Sequence, residues 1–102
     1  MKVIYENKIG KKLENESSIK KNFGKLAVKI IIRLSLLFAA SCLDDVPNIP
    51  PTRRHKLIGN YRNCWGIEIE KNWRIVVRPN SADCDNLKDI KEITIVDIVD
   101  YH

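Results

Sequence analysis

Two runs in the second half of the chain alternate between large apolar residues and mostly polar or small ones, with Val76 as the exception. Residues 65–70 and residues 73–78 each place three large apolar side chains on one side. A period of two is typical of a β-strand with one buried face. Because only Lys71-Asn72 separates the runs, they predict an antiparallel hairpin with Arg74 on the face opposite Trp73.

The last apolar run, residues 91–99, is rich in β-branched residues and apolar on both alternating faces. This pattern predicts an interior strand of a sheet. Chain ends usually fray unless a neighbouring element holds them. We therefore expect the strand to hold Asp100, Tyr101 and His102 in place.

The first half of the chain predicts a short strand followed by helices. Residues 3–5 are typical of a strand, and residues 8–15 indicate a short helix. Ser17 or Ser18 is a candidate cap for the next helix. Gly24 is either a break in this helical pair or a tolerated glycine.

The most apolar stretch, residues 26–40, contains Lys29 and Arg33. A membrane-spanning helix needs about 20 apolar residues, so the shorter stretch favours a buried helix. Basic residues recur every four positions and predict a stripe along a helix, formed by Lys21, Lys25, Lys29 and Arg33. Such a stripe suits a phosphate backbone, although a solvated outer face is the commoner explanation.

The connections complete an order of strand, helices, then strands, which indicates the α+β class. Prolines in residues 44–51 predict an extended connection, and residues 79–86 predict a surface loop. A length of 102 residues predicts one domain. Hydrophobic residues at 44% and charged residues at 30% exclude a disordered chain.

The net charge of +5 is unevenly spread. Residues 1–33 carry nine Lys or Arg against three Glu, whereas residues 80–102 carry two against six acids. This asymmetry suits a polyanionic partner such as RNA, or an acidic protein. A lysine-rich solvated surface is the simpler alternative.

The three cysteines, Cys42, Cys64 and Cys84, are an odd number without C-x-x-C spacing. A disulfide scaffold and a zinc site are therefore not expected, and a cytoplasmic location fits best. Cys42 and Cys64 are interpreted as small apolar fillers. The sequence also lacks the spacings of common metal-ligand motifs, so no metal is predicted.

Short motifs occur in a fixed order along the second half of the chain: Arg54-His55-Lys56-Leu57, Gly59, Trp65, Asn72-Trp73-Arg74-Ile75 and Asp100-Tyr101-His102. In order and spacing they resemble the HigB, or killer-protein, branch of the RelE/ParE toxin superfamily. The resemblance covers essentially the whole chain and implies a compact RelE-like α+β domain. Its N-terminal strand and helical pair would pack on a mainly antiparallel twisted sheet.

The resemblance implies the toxin of a type II toxin–antitoxin system. Such a toxin is a metal-independent endoribonuclease that binds messenger RNA in the ribosomal A site, cuts it and inhibits translation. The expected partners are the ribosome and a cognate helix-turn-helix antitoxin of the HigA type, in a heterotetramer. No cofactor and no membrane partner are expected.

Cleavage of RNA by its own 2′-OH needs a base, an acid and positive charge around the phosphorane. With the resemblance, the expected catalytic residues are His55, Arg74, Tyr101 and His102, and the expected substrate-binding residues are Arg54, Lys56, Arg62, Arg78 and Asp100. His102 is the better proton donor, because its α-carboxylate and Asp100 favour the protonated ring. His55 is a base or only orients the substrate.

Some of these residues have simpler alternatives. Arg74 either binds phosphate through its planar guanidinium or forms a cross-strand ion pair with Glu68 or Glu70. Tyr101 either contacts the phosphate, stacks on a base, or completes the core with its ring.

The chain departs from the resembled pattern at Ile58, where many relatives have a catalytic lysine. Lys56 lies two residues earlier, displaced by about 6 to 7 Å at strand rise. Two alternative functions therefore stay open. One is a non-enzymatic gyrase inhibitor of the ParE type, and the other is a catalytically weak relative that binds antitoxin.

Overall fold

The computed structural model describes residues 1–80 and 86–100, so the predicted site residues Tyr101 and His102 lie outside the described residues. In chain order, the strands are β1 Lys2–Tyr5, β2 His55–Lys56, β3 Trp65–Glu70, β4 Trp73–Pro79 and β5 Glu92–Asp100. The helices are α1 Asn7–Leu13, α2 Glu16–Phe23 and α3 Ala27–Ala39. A 3₁₀ turn, Gly24–Leu26, joins α2 to α3.

The strands form one mixed sheet in the order β1-β5-β4-β3-β2. β1 runs parallel to β5, and the other neighbouring strands are antiparallel. β5 has a neighbour on each side, which confirms the interior strand. The predicted hairpin is also confirmed, because β3 pairs with β4 around a turn in which Asn72 has a φ of 72°.

The main core lies between the helices and one face of the sheet. Ile30 and Leu37 of α3 are fully buried with strand residues that include Ile67, Ile75 and Ile95. Each such side chain contributes about 1.5–3 kcal/mol by leaving water. This arrangement confirms the predicted α+β class with helices packed on a mainly antiparallel sheet.

The other side of the sheet, called here the open face, carries side chains that alternate with the core residues. Its apolar content is a smaller cluster of Leu57, Cys64 and Val76, supplied by strands and by the β2–β3 connection. Arg74 shares this face, since it alternates along β4 with buried Ile75. Because the helices cover the other face, the open face is the side of the sheet on which polar side chains can reach solvent.

The helical region corrects two expectations from the sequence. The cap of α2 is Asn15, whose side chain accepts a hydrogen bond from the Ser18 N–H at 2.8 Å. The prediction of a Ser17 or Ser18 cap is wrong, because a cap precedes the first helical residue and α2 begins at Glu16. Gly24 ends α2 with a φ of 51°, so it is the break.

Arg33 overturns the predicted basic stripe. Its side chain lies on the core side of α3, where the Nε donates to the Glu68 carbonyl at 2.8 Å and an Nη donates to the Ile69 carbonyl at 3.3 Å. The turn at Gly24–Leu26 also interrupts the helix on which a single stripe would depend. The buried-helix prediction for residues 26–40 holds for one face only, because Val28 is 62% exposed. Among the described residues, no helix is long and apolar enough to cross a membrane.

Candidate functional site

A cleft of about 350 Å³ opens beside the strands β2 and β4. It is lined by residues of the proline-rich connection and by two predicted site residues, namely Asn48, Ile49, Pro50, Arg53, His55 and Arg74. His55 pairs with Gly66 of β3, and Arg74 pairs with Glu68 of the same strand. The fold thus brings His55 and Arg74, which are distant in sequence, into one cavity.

The His55 ring is held in a defined orientation. Its Nδ1 lies 2.7 Å from the carbonyl oxygen of Arg53. A carbonyl oxygen only accepts hydrogen bonds, so Nδ1 must carry the proton. In the neutral ring the lone pair is then on Nε2, which leaves this nitrogen able to accept a proton.

Gly66 makes room for that ring. A Cβ at this position would lie 3.1 Å from His55 Cε1 and 3.0 Å from Leu57 Cδ2. Both distances are shorter than ordinary carbon contacts of about 3.5–4.0 Å. The missing side chain of Gly66 therefore lets His55 and Leu57 lie closer to β3 than an alanine would allow without a shift.

Arg74 lines the cleft, and its side chain is mostly buried. Its Nη1 lies 3.9 Å from a carboxylate oxygen of Glu68 and donates to the Trp73 carbonyl at 3.3 Å. Its Nε is buried and has no hydrogen-bond partner among residues 1–80 and 86–100. The cross-strand ion pair between Arg74 and Glu68, one of the two alternatives from the sequence, is thus present. Within the described residues, at least one N–H of the Arg74 guanidinium donates no hydrogen bond.

Glu68 connects the cleft to the rest of the fold. Its carboxylate lies 3.0 Å from the Nε of Arg53, and Arg53 lines the cleft. Its backbone N–H donates to the Thr52 carbonyl at 2.7 Å, and its carbonyl accepts from Arg33. Glu70, the other candidate partner of Arg74, pairs with Lys29 at 3.6 Å instead.

Arg54 has a packing role in the structure. The side chain is 8% exposed, and its Nε donates to the Val46 carbonyl at 2.7 Å. Its guanidinium carbon also lies 5.2 Å from the centre of a Trp65 ring, a cation–π distance. These contacts hold Arg54 against the fold, and its expected role in substrate binding stays a prediction.

Two predicted substrate-binding residues, Lys56 and Arg62, are exposed and lie near the edge strand β2. Lys56 and Ile58 flank buried Leu57, and Ile58 is 76% exposed. Leu57 and His55 both face Gly66, whereas Lys56, the other residue of β2, alternates to the opposite side of that strand. Positions 56 and 58 are both exposed, so a lysine at either position would have its charged group in water.

The remaining predicted residues lie along β4 and β5. Arg78 is exposed, and its Nη2 lies 2.9 Å from a carboxylate oxygen of Glu6. Asp100 pairs with Trp73, next to Arg74, at the last described position of β5. The end of β5 is thus beside the start of β4, where the cleft residue Arg74 lies.

Sequence reasoning missed Arg53, and it considered Glu68 only as one of two possible partners of Arg74. Arg53 was visible only as part of a basic pair, and its neighbour Arg54 has the same residue type with the opposite exposure. The backbone of Arg53 is in the left-handed region, with a φ of 40°. This turn of the chain leaves the Arg53 side chain exposed and the Arg54 side chain buried. No signal in the sequence distinguishes them.

Two ionisable groups of the open face are perturbed. Burial raises the pKa of the Cys64 thiol, and Arg78 opposes this shift only in part. Burial also raises the pKa of Tyr61, with further contributions from Asp97 and Cys64. Across the described ranges, no three His, Cys, Asp or Glu side chains are grouped to hold a metal ion.

No protein-family model matches the chain, and no curated protein matches it significantly. Solved structures do match over nearly its whole length. The YoeB/ParE toxin from Agrobacterium tumefaciens matches with a TM-score of 0.59 at 12% identity, covering 100% of both chains. A YafQ mutant from E. coli matches with a TM-score of 0.59 at 14% identity, covering 94% of this chain and 88% of its own.

A chain of the YoeB–YefM complex from Staphylococcus aureus is also similar, with a TM-score of 0.57 at 17% identity. The match covers 100% of this chain and 97% of that one. At these identities the likeness concerns the fold alone. The chain therefore has the fold of RelE/YoeB-like toxins, which confirms the predicted fold class.

Proposed function

We propose that this chain is the toxin of a type II toxin–antitoxin system, of the HigB branch, and that it cuts messenger RNA in the ribosomal A site. The observation that carries the proposal is the cleft, which joins His55 and Arg74 within a fold shared with toxins. One group can take a proton, and the other carries permanent positive charge. Those are two of the three needs of RNA cleavage without a metal.

In the proposed reaction, His55 Nε2 takes the proton of a ribose 2′-OH. The hydrogen bond from Nδ1 to the Arg53 carbonyl keeps the lone pair on Nε2, which favours the base over a merely orienting role. The 2′-oxygen attacks the neighbouring phosphorus, and Arg74 stabilises the charge that builds up on the phosphorane. The 5′-oxygen then leaves with a proton.

His102 supplies that proton in this mechanism, and Tyr101 positions the phosphate. Both follow Asp100, which pairs with Trp73 beside Arg74. The products are a 2′,3′-cyclic phosphate and a 5′-hydroxyl. Lys56, Arg62 and Arg78 guide the RNA backbone by long-range attraction, because they are exposed cations.

The proposed partner is a helix-turn-helix antitoxin of the HigA type. The toxin of the similar Staphylococcus aureus complex is bound to the antitoxin YefM, and one such complex is described as heterotetrameric. By this likeness we propose a heterotetramer for the present chain as well. The cytoplasm, where ribosomes and messenger RNA occur, is the proposed location.

Induced expression in a bacterium tests the class. We expect growth arrest with cut transcripts for the unaltered chain, and growth at equal protein level for Arg74→Ala. Glu70→Gln is a suitable control, because Glu70 pairs with Lys29 outside the cleft. A DNA-damage response without cut transcripts would instead identify the gyrase-inhibiting alternative.

A further inference from the structure

Glu68 lies where a negatively charged group can contact both cleft arginines. Its Oε2 is 3.0 Å from Arg53 Nε, and its Oε1 is 3.9 Å from Arg74 Nη1. A carboxylate accepts hydrogen bonds from guanidinium groups much as a phosphate does. An anion of the protein itself therefore lies between the two permanent cations that line the cleft.

We propose that Glu68 is a positioning residue that competes with the substrate phosphate for Arg53 and Arg74, and that Arg53 binds RNA phosphate once released. This inference rests on the proposed function, because it assumes that a phosphate enters the cleft. To the proposed site it adds Arg53, which binds the substrate phosphate, and Glu68, which weakens that binding. In the resting protein Glu68 holds both guanidiniums, and an arriving phosphate replaces its carboxylate.

The two ion pairs are weak enough to be exchanged. Arg53 is 60% exposed in its side chain, so solvent screens its pair with Glu68. The Arg74 contact is long at 3.9 Å, and the Arg74 Nε has no hydrogen-bond partner in the described part of the chain. A buried donor without an acceptor is unfavourable, so Arg74 Nε would gain a hydrogen bond from an added acceptor such as a phosphate oxygen.

Arg53 is prepared for this exchange by its backbone. Its N–H donates to the Ile49 carbonyl at 3.0 Å, and its carbonyl accepts from His55 Nδ1. These bonds hold the backbone in the left-handed region while leaving the guanidinium at the cleft surface. The side chain can therefore change partners without disturbing the orientation of His55.

Glu68→Gln tests the competition with little structural change. The amide keeps the shape of the side chain, and the backbone bonds to Thr52 and from Arg33 do not depend on the side chain. Glu70→Gln is the matched control, since it removes the same charge two residues away on β3. The probe is a fluorescent 2′-O-methyl RNA pentanucleotide, which lacks the nucleophile and is not cut.

We expect Glu68→Gln to tighten binding of this probe about fivefold at low salt, an effect that shrinks as salt is raised. Glu70→Gln should change the affinity less than twofold. Arg53→Gln should weaken binding, and in the Glu68→Gln background it should remove the gain. Thermal unfolding of each variant reports any loss of structure.

The alternative is that Glu68 is only a clamp for the connection that carries Arg53. In that case Glu68→Gln would lower the unfolding temperature and leave binding unchanged or weaker, which would overturn the competition. Equal tightening by Glu68→Gln and Glu70→Gln would also overturn it, as a general charge effect. A missing gain in Glu68→Gln overturns this inference, whether or not the unaltered chain binds the free probe. The proposed function is decided separately, by the cut transcripts on induced expression.

Discussion

Gly66→Ala is a small change that should move the proposed base without removing it. The added Cβ would lie 3.1 Å from His55 Cε1, 3.4 Å from His55 Nε2 and 3.0 Å from Leu57 Cδ2. Leu57 is 3% exposed and enclosed by its cluster, whereas the His55 ring is only partly buried at the cleft. We therefore expect the His55 ring, and not the Leu57 side chain, to move when the Cβ is added.

The size of the effect follows from these distances. The ring must retreat by about 0.4 Å to reach an ordinary contact of about 3.5 Å, which strains its 2.7 Å hydrogen bond to Arg53. A misplacement of about 1 Å can cost a hundredfold in rate, so we expect a loss of about three- to tenfold. Overpacking destabilises a protein by about 1 kcal/mol or more. Replacing a glycine within a strand stabilises it and offsets part of this loss, so the free energy of unfolding should fall by about 1 kcal/mol.

Single-turnover cleavage and urea unfolding measure the two effects separately, and the His55 Hε1 chemical shift reports the ring. Gly10→Ala is the control, because Gly10 lies in helix α1, away from His55. There the added Cβ would meet the Cβ of Tyr5 at a similar distance of 3.2 Å. Wild-type cleavage together with an unmoved His55 signal in Gly66→Ala would refute the argument that the bare β3 backbone positions this ring.

Three further changes test other parts of the account. Arg33→Met removes the side-chain donors to two β3 carbonyls and should lower the unfolding free energy by about 1–3 kcal/mol in urea; an unchanged value contradicts the structural role given to Arg33. Ile58→Lys should raise cleavage threefold or more, with a stability change within about 0.5 kcal/mol, because the position is 76% exposed. Val28→Lys, which adds the same charge on exposed α3, should leave cleavage unchanged, and equal gains would reject a specific role for position 58. The raised pKa of Cys64 implies a stability contribution that is complete below the ordinary value of 9.0 and declines as pH rises through the folded pKa; Cys64→Ala should reduce that alkaline decline, and an identical pH profile would count against it.

The strands were predictable because their signal is local. The period of two in residues 65–78 specifies the hairpin, and the β-branched run before Asp100 specifies an interior strand. The pairing of Glu68 with Arg74 was also weighed from the register of that hairpin. What the pattern leaves open is which of two acids on one strand takes the pair.

Residues that depend on tertiary contacts were less accessible to sequence reasoning. Arg33 continues a polar spacing, yet it is buried because its guanidinium reaches two β3 carbonyls across the core. Arg54 and Arg53 are adjacent arginines, and only the fold makes the first a packing residue and the second a cleft residue. The predicted roles of Tyr101 and His102 stay predictions.

The most direct test of the central claim is the chemistry of the cut on messenger RNA bound to ribosomes. The account predicts a 2′,3′-cyclic phosphate and a 5′-hydroxyl, with no cleavage when the nucleotide at the cut carries a 2′-deoxyribose. His55→Ala and Arg74→Ala should each slow this reaction by about a hundredfold or more. Cleavage that persists on the 2′-deoxy substrate, or at wild-type rate in both variants, would contradict the account.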